Sequence, residues 1–252
     1  MAYKKRVYRF RNAIEVEMYH SGRYGAPGQG RQKKQKPTPE QMERKNQRNR
    51  EDRCRRKMRE HFRENDYYVT LTYTRDARPP DMEAAKQDFN RMIRRLRREY
   101  AGKEMKWIRN IEVGTKGAWH VHMVLNRIPD LDVILQQAWP HGRVFYQLLH
   151  QRGEFRDLAA YLTKTPKTDP RLKETSYSSS RNLPIPEPEE KVIGSGTWRK
   201  KIHIPEGWYL DQESYWEGIN PVTGYPSRRY TLLRLPEDKR KSAGSGTYHR
   251  RC

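Results

Sequence analysis

Cysteine is nearly absent from this chain: Cys54 and Cys252 are the only two among 252 residues. Two such residues build neither a disulfide framework nor a Cys-type zinc site. No apolar run approaches the roughly 18 residues of a membrane-spanning helix, and there is no signal-peptide pattern, so a spanning or secreted protein is not expected. Acidic residues are scarce beside basic ones, 31 Asp+Glu against 53 Lys+Arg, which leaves a formal net charge of +22 and a sequence pI near 10.1. Internal repeats are also missing.

A charge of that size implies a polyanionic partner. Nucleic acid leads, with an anionic membrane surface as the alternative. Hydrophobic residues make up 34% and charged residues 33%, so a modest core with well-solvated extensions is expected, in one large or two small domains. A cytosolic location is the simplest one. Residues 1–65 hold 20 Lys+Arg and 8 Asp+Glu, a net of +12 and more than half of the excess.

Taken in order, residues 1–39 read as a poorly ordered basic arm with one short strand at Ala13 to Met18. Thr38, Pro39, Glu40 and Gln41 form a capping-box pattern that opens a very polar helix running to Phe62. Only Cys54, Met58 and Phe62 make an apolar stripe there, so the helix is either a solvated one packed by an edge or a basic one laid along phosphates. Asp66 to Thr74 is the clearest strand, with Val69, Leu71 and Tyr73 on one face and Tyr68, Thr70 and Thr72 on the other. Asp81 caps a helix reaching Tyr100, whose Phe89, Met92, Ile93 and Leu96 form a core stripe flanked by arginines; Gly102 stops it. Leu131 to Trp139 reads as a short helix, Arg143 to Leu148 as a strand and Gly153 to Thr165 as a helix. Residues 169–197 are rich in Pro, Ser, Glu and Gly and read as a linker or wrapping segment. Arg199 to Ile204 and Tyr230 to Leu235 are strand-like, and the tail from Glu237 looks disordered.

The stretch Lys106 to Leu125 carries the chemistry. Two alternating runs flank Thr115-Lys116-Gly117, a three-residue hairpin loop with Gly in the left-handed position. Counting back from that loop sets Glu112 opposite His120 and Asn110 opposite His122. The period of two then gathers Glu112, His120 and His122 on one face, and Trp119, Val121, Met123, Ile111 and Val113 on the other. Two imidazoles and a carboxylate suit one divalent cation such as Mn, whereas Mg prefers more oxygen. A merely polar, solvated hairpin face is the competing explanation, and a loop one residue shorter or longer would turn Glu112 away.

Tyr161 and Lys164 lie three residues apart on the last helix, with Cβ atoms about 5–6 Å from each other. A tyrosine beside a metal site in a very basic protein suggests phosphoryl chemistry: a phenolate attacks a phosphodiester, forms a phosphotyrosine bond and releases a 3′-hydroxyl. A free phenol has a pKa of roughly 10, so Lys164 is expected to assist. A half-buried aromatic and a solvated lysine are the plainer interpretation of the pair.

The run Tyr67-Tyr68-Val69-Thr70-Leu71-Thr72-Tyr73, then His120-Val121-His122, then Tyr161-Leu162-Thr163-Lys164 resembles the three ordered motifs of the HUH endonucleases. Within them it is most similar to single-tyrosine rolling-circle replication initiators of bacterial plasmids and phages. The resemblance covers roughly residues 65–168. It implies an α+β fold, a central antiparallel sheet like that of RNA-recognition domains with helices packed on one face. A basic extension at 1–65 precedes that domain (66–168); the linker and a small β-rich segment at 198–252 follow.

By the same resemblance His120 and His122 hold Mg or Mn, with Glu112 added from the hairpin register, while Tyr161 is the nucleophile and Lys164 its assistant. DNA contacts are expected from Thr70, Thr72, Asn110, Arg55, Arg56 and Lys57, and from Lys167 and Arg181. The implied partner is single-stranded origin DNA with adjacent duplex or hairpin, in a bacterial cell or phage-infected host. The P-loop pattern of attached helicase domains is missing, so host helicase and polymerase are expected. A transposase or relaxase is the alternative within the same chemistry, although relaxases usually carry three histidines. A non-catalytic nucleic-acid-binding module is the alternative outside it.

Overall fold

The computed structural model describes residues 2–20, 37–114, 117–150, 153–164, 177–220 and 223–236. They form two compact units, one made of residues 49–185 and the other of residues 1–48 together with 186–252. The helix α1 (Pro39–His61) runs from the second into the first.

The central unit is built on an antiparallel sheet in the order β6-β3-β5-β4-β7. Its strands are β3 (Tyr67–Thr72), β4 (Trp107–Val113), β5 (Trp119–Leu125), β6 (Val144–Leu148) and β7 (Tyr177–Ser179). The helices of this unit are α2 (Met82–Glu99), α3 (Leu131–Ala138) and α4 (Arg156–Thr163). As expected, Asp81 caps α2, its side chain accepting from Ala84 N at 2.8 Å, and Gly102 takes φ +81° beyond its end. The stripe Phe89, Met92, Ile93 and Leu96 packs with α3 onto the odd-numbered residues of the sheet, Val69, Leu71, Ile111, Val121 and Met123. Each fully buried side chain of this kind contributes about 1.5–3 kcal/mol.

The opposite face is covered too, which corrects the expectation of helices on one face only. Cys54, Met58 and Phe62 of α1 and Ala159 and Leu162 of α4 pack on Ile108 and Val124. The sparse stripe of α1 is thus a core stripe, and its polar residues tie it down. Buried Arg59 donates to the carbonyls of Gly153 (2.5 Å) and Glu154 (3.1 Å), and Lys57 Nζ donates to Ser179 Oγ at 2.7 Å.

The second unit is also an antiparallel sheet, ordered β8-β1-β2-β10-β9. Its strands are β1 (Tyr3–Arg9), β2 (Ala13–Tyr19), β8 (Glu189–Ile193), β9 (Trp208–Ile219) and β10 (Pro226–Arg234). Tyr3, Ile14, Val16, Met18, Tyr230 and Leu232 form its core. The expected basic arm is therefore a hairpin as far as Tyr19, and it shares a sheet with the expected C-terminal segment; residues 21–36 lie outside the described residues. Arg199 to Ile204 is irregular rather than a strand, and the aromatic stretch after it forms the long β9. The segment read as a linker supplies β7 and β8; its residues 169–176, like the tail from Glu237, fall outside the description.

Gly142 sits where the turn after α3 meets β3. Thr72 N and Thr74 N donate to the carbonyls of Arg143 (2.9 Å) and His141 (2.8 Å) on either side of it. A Cβ at Gly142 would overlap the Thr72 carbonyl group, standing 2.8 Å from its carbon. Gly142→Ala is expected to cost about 1–3 kcal/mol through this overlap, read as a lower urea midpoint at unchanged m-value. An unchanged midpoint would show that the turn is not held against β3.

Candidate active site

The register of β4 on β5 pairs Glu112 with His120 and Asn110 with His122. The hairpin closes through Gly114 N donating to the Ala118 carbonyl at 2.8 Å, and Gly117 adopts φ +68°. Thr115 and Lys116 of the loop are outside the described residues. The odd positions being committed to the α2 core, Glu112, His120 and His122 point to the other face together with Tyr68, Thr70 and Thr72 of β3.

His122 is the centre of this face. Its Nε2 lies 2.9 Å from Glu112 Oε1, and its Nδ1 lies 3.0 Å from Tyr68 Oη and 3.1 Å from Thr70 Oγ1. A neutral ring satisfies this arrangement when Nε2–H donates to the carboxylate and Nδ1 accepts one hydroxyl proton. Tyr68 also lies nearly parallel to the imidazole, 13° between planes. From α4, Tyr161 closes the site edge-on to His122, ring centroids 5.3 Å apart, and its Oη donates to the same Glu112 oxygen at 3.0 Å. Its side chain remains 36% exposed, so the phenol is reachable from solvent.

The protonation states follow from these contacts. The hydrogen bond from His122 holds the Glu112 carboxyl below the usual carboxylate range, although burial opposes this. Burial raises the Tyr161 phenol well above its ordinary value, and the charge of Glu112 and the nearby Tyr68 push the same way. Burial lowers His120, helped by His122. A carboxylate kept ionised and an imidazole kept neutral are the forms a divalent cation requires of its ligands, so the donor types fit such an ion. Among the described residues no three His, Cys, Asp or Glu side chains are already disposed around a common point, since Glu112 Oε1 serves both His122 and Tyr161.

Lys164 does not join the group. α4 ends at Thr163, and Lys164 turns out of the helix at φ −57°, ψ 122°. Its exposed side chain has no hydrogen-bond partner among the described residues. Of the expected DNA contacts, Asn110 is 1% exposed, which leaves it no surface to offer. Its Oδ1 is also without a hydrogen bond among the described residues. Thr72 Oγ1 is engaged with Arg143, accepting from its N at 3.0 Å. Arg55 pairs with Asp52 at 2.8 Å, Lys57 is held by Ser179, Arg56 is partly buried, and Arg181 is exposed. Lys167 lies outside the described residues. Tyr68 is the residue that sequence reasoning left out of the site; its place in the alternation of β3 was the available signal.

The span from just before β3 to just past α4 is similar to replication-associated proteins, which connects this part of the chain with DNA replication. The matching family model is that of the Replication-associated protein ORF2 group, over residues 66–166. Comparison with curated proteins and with solved structures returns no match.

Because either hydroxyl can serve His122 Nδ1, Tyr68→Phe and Thr70→Val are each expected to cost less than about 1 kcal/mol. The double variant is expected to cost more than their sum, because a buried acceptor then loses its last donor. Urea denaturation of the two single variants and the double reads this directly. Strict additivity would mean that the hydroxyls do not share Nδ1.

Proposed function

We propose that this chain is a metal-dependent single-stranded DNA nickase and strand-transferase that initiates rolling-circle replication, with Tyr161 as its nucleophile. The observation that carries the reading is Tyr161 Oη bonded at 3.0 Å to Glu112, on the oxygen that also holds His122. The match of this segment to replication-associated proteins supports it.

In the reaction, Tyr161 gives its phenolic proton to Glu112 as the Oη–P bond forms and the bond from phosphorus to the 3′ oxygen breaks. The 3′ oxygen leaves with the electron pair and takes a proton from solvent. The 5′ phosphate remains on Tyr161. One phosphoester bond replaces another, so the step needs no ATP. Glu112, His120 and His122 would hold one Mg or Mn ion, which when bound polarises the phosphate and offsets the charge developing on it. Tyr68 and Thr70 fix the His122 ring from behind, and such outer hydrogen bonds keep an imidazole in one tautomer and orientation. Lys164, exposed just past the end of α4, is placed to meet a phosphate oxygen rather than the phenol. Attack by a 3′-hydroxyl on the phosphotyrosine reverses the same steps and rejoins the strand. Unwinding and synthesis fall to host helicase and polymerase.

The test is covalent attachment. Wild-type protein with Mn and single-stranded DNA flanking its gene is expected to give a protein–DNA band that survives denaturation. Chelator is expected to remove the band, and Tyr161→Phe to reduce it about 10³-fold or more while DNA binding persists. His120→Ala is expected to lose nicking that added Mn does not fully restore. A band that survives in Tyr161→Phe would move the nucleophile elsewhere. No band from any substrate, with tight binding intact, would leave a binding module.

A further inference from the structure

The α2 face of the central unit carries a second constellation, away from Tyr161. Arg91, Arg94, Arg95, Arg97 and Arg98 line an open groove of about 720 Å³ between α2 and the turn at Pro140 and His141. Arg91, Arg94, Arg95 and Arg98 recur at i, i+3, i+4 and i+7, which places them within an arc of roughly 100° and along about 10 Å of helix. Arg91 is paired with Asp88, and Arg95 donates to the Gln137 carbonyl at 3.0 Å. Arg94, Arg97 and Arg98 are exposed and have no acidic partner among the described residues. Like charges three and four residues apart repel and destabilise a helix, so this row carries a standing cost that a polyanion offsets.

The walls of the groove narrow the choice of polyanion. Single strands are held by aromatic platforms on which bases stack, and no such ring is open here. Trp139 and Tyr73 are buried in the core. His141 is fixed between them, with Nε2 3.4 Å from Asp88 Oδ1. The apolar lining is Met92, Ala138 and Pro140. Guanidinium groups without a base platform read phosphates only. With a rise of about 3.4 Å per nucleotide on one strand, the arginine row spans about three phosphates. The side chains of the α2 stripe pack on the odd-numbered face of the sheet, whereas Glu112, His120 and His122 are on the even-numbered one, so DNA in this groove is not the strand being cut.

We infer that the arginine row of α2 is a docking site for the phosphate backbone of duplex DNA flanking the nicked strand. The inference rests on the nickase reading for its biological setting, but its test does not. Full-length protein is titrated in chelator, where no nicking is expected, with a fluorescent blunt duplex and with a single strand of the same length, across a range of NaCl. Arg94→Glu/Arg98→Glu is expected to weaken duplex binding and to reduce the slope of log K against log salt by about 2, close to one per lost phosphate contact. Its effect on the single strand is expected to be much smaller. Arg94→Lys/Arg98→Lys is expected to keep the duplex slope, and matching thermal melts show that the variants are folded. An unchanged duplex slope in the charge-reversed variant overturns the proposal, and so does an equal loss on both DNA forms. Loss of binding to a labelled poly-glutamate peptide with duplex binding intact would overturn it in favour of an acidic protein segment. Failure of covalent attachment reflects on Tyr161 and leaves these slopes as they are.

Discussion

The register of β4 against β5 is the constraint on which the rest of the central unit depends. Because strand side chains alternate, one choice of loop sends Ile111, Val121 and Met123 into the α2 core and, in the same stroke, Glu112, His120 and His122 to the opposite face. A slip of one residue would bury two imidazoles and a carboxylate among leucines and methionines, at a cost of several kcal/mol. The large apolar face therefore locks the polar one. No separate device is needed to bring Glu112 near His122, since burial of the residues between them has already done so.

Around that hairpin the polar face is assembled from chain segments far apart in sequence. β3 lends the hydroxyls of Tyr68 and Thr70, and α4 lends Tyr161. The underside of α4 is held by Phe155, Ala159 and Leu162 in a cluster with α1. Phe155 takes φ +43° to enter that cluster, an uncommon conformation for a bulky residue that its burial sustains. The position of the phenol is thus fixed by packing, while its hydroxyl stays open to solvent.

Much of this could be read from the sequence where the signal was local. The hairpin register followed from a short loop ending in Gly117, and α2 followed from Asp81, its 3.6-residue stripe and Gly102. Where pairing was distant, the sequence was silent. Nothing in the Lys- and Arg-rich run Tyr3–Arg9 announces a neighbour at Glu189–Ile193, because what stabilises β1 is the hydrogen bonding of β2 and β8 on its two sides. Tyr68 escaped notice because its direct partner across the strands is Val124; it reaches His122 along the diagonal, which only long aromatic side chains can span. Lys164 was placed by helical spacing, and the helix ends one residue before it. Asn110 was given to DNA by its face alone; the pattern of alternation cannot distinguish an open face from one that α1 and α4 roof over.

The β1–β2 hairpin and β10 belong to one sheet, yet residues 20–225 stand between the end of β2 and the start of β10. The whole of the unit bearing the β4–β5 hairpin and Tyr161 falls in that interval. A ribosome adding roughly 5–20 residues per second needs about 10–40 s to cross it. During that time Val16 and Met18 have no β10 to cover them, and an isolated two-stranded hairpin is at best marginally stable in water. The continuous unit emerges entire before its discontinuous host can close. Synthesis thus completes the inserted domain first and the surrounding sheet last, so that the first strands translated are among the last to find their final partner.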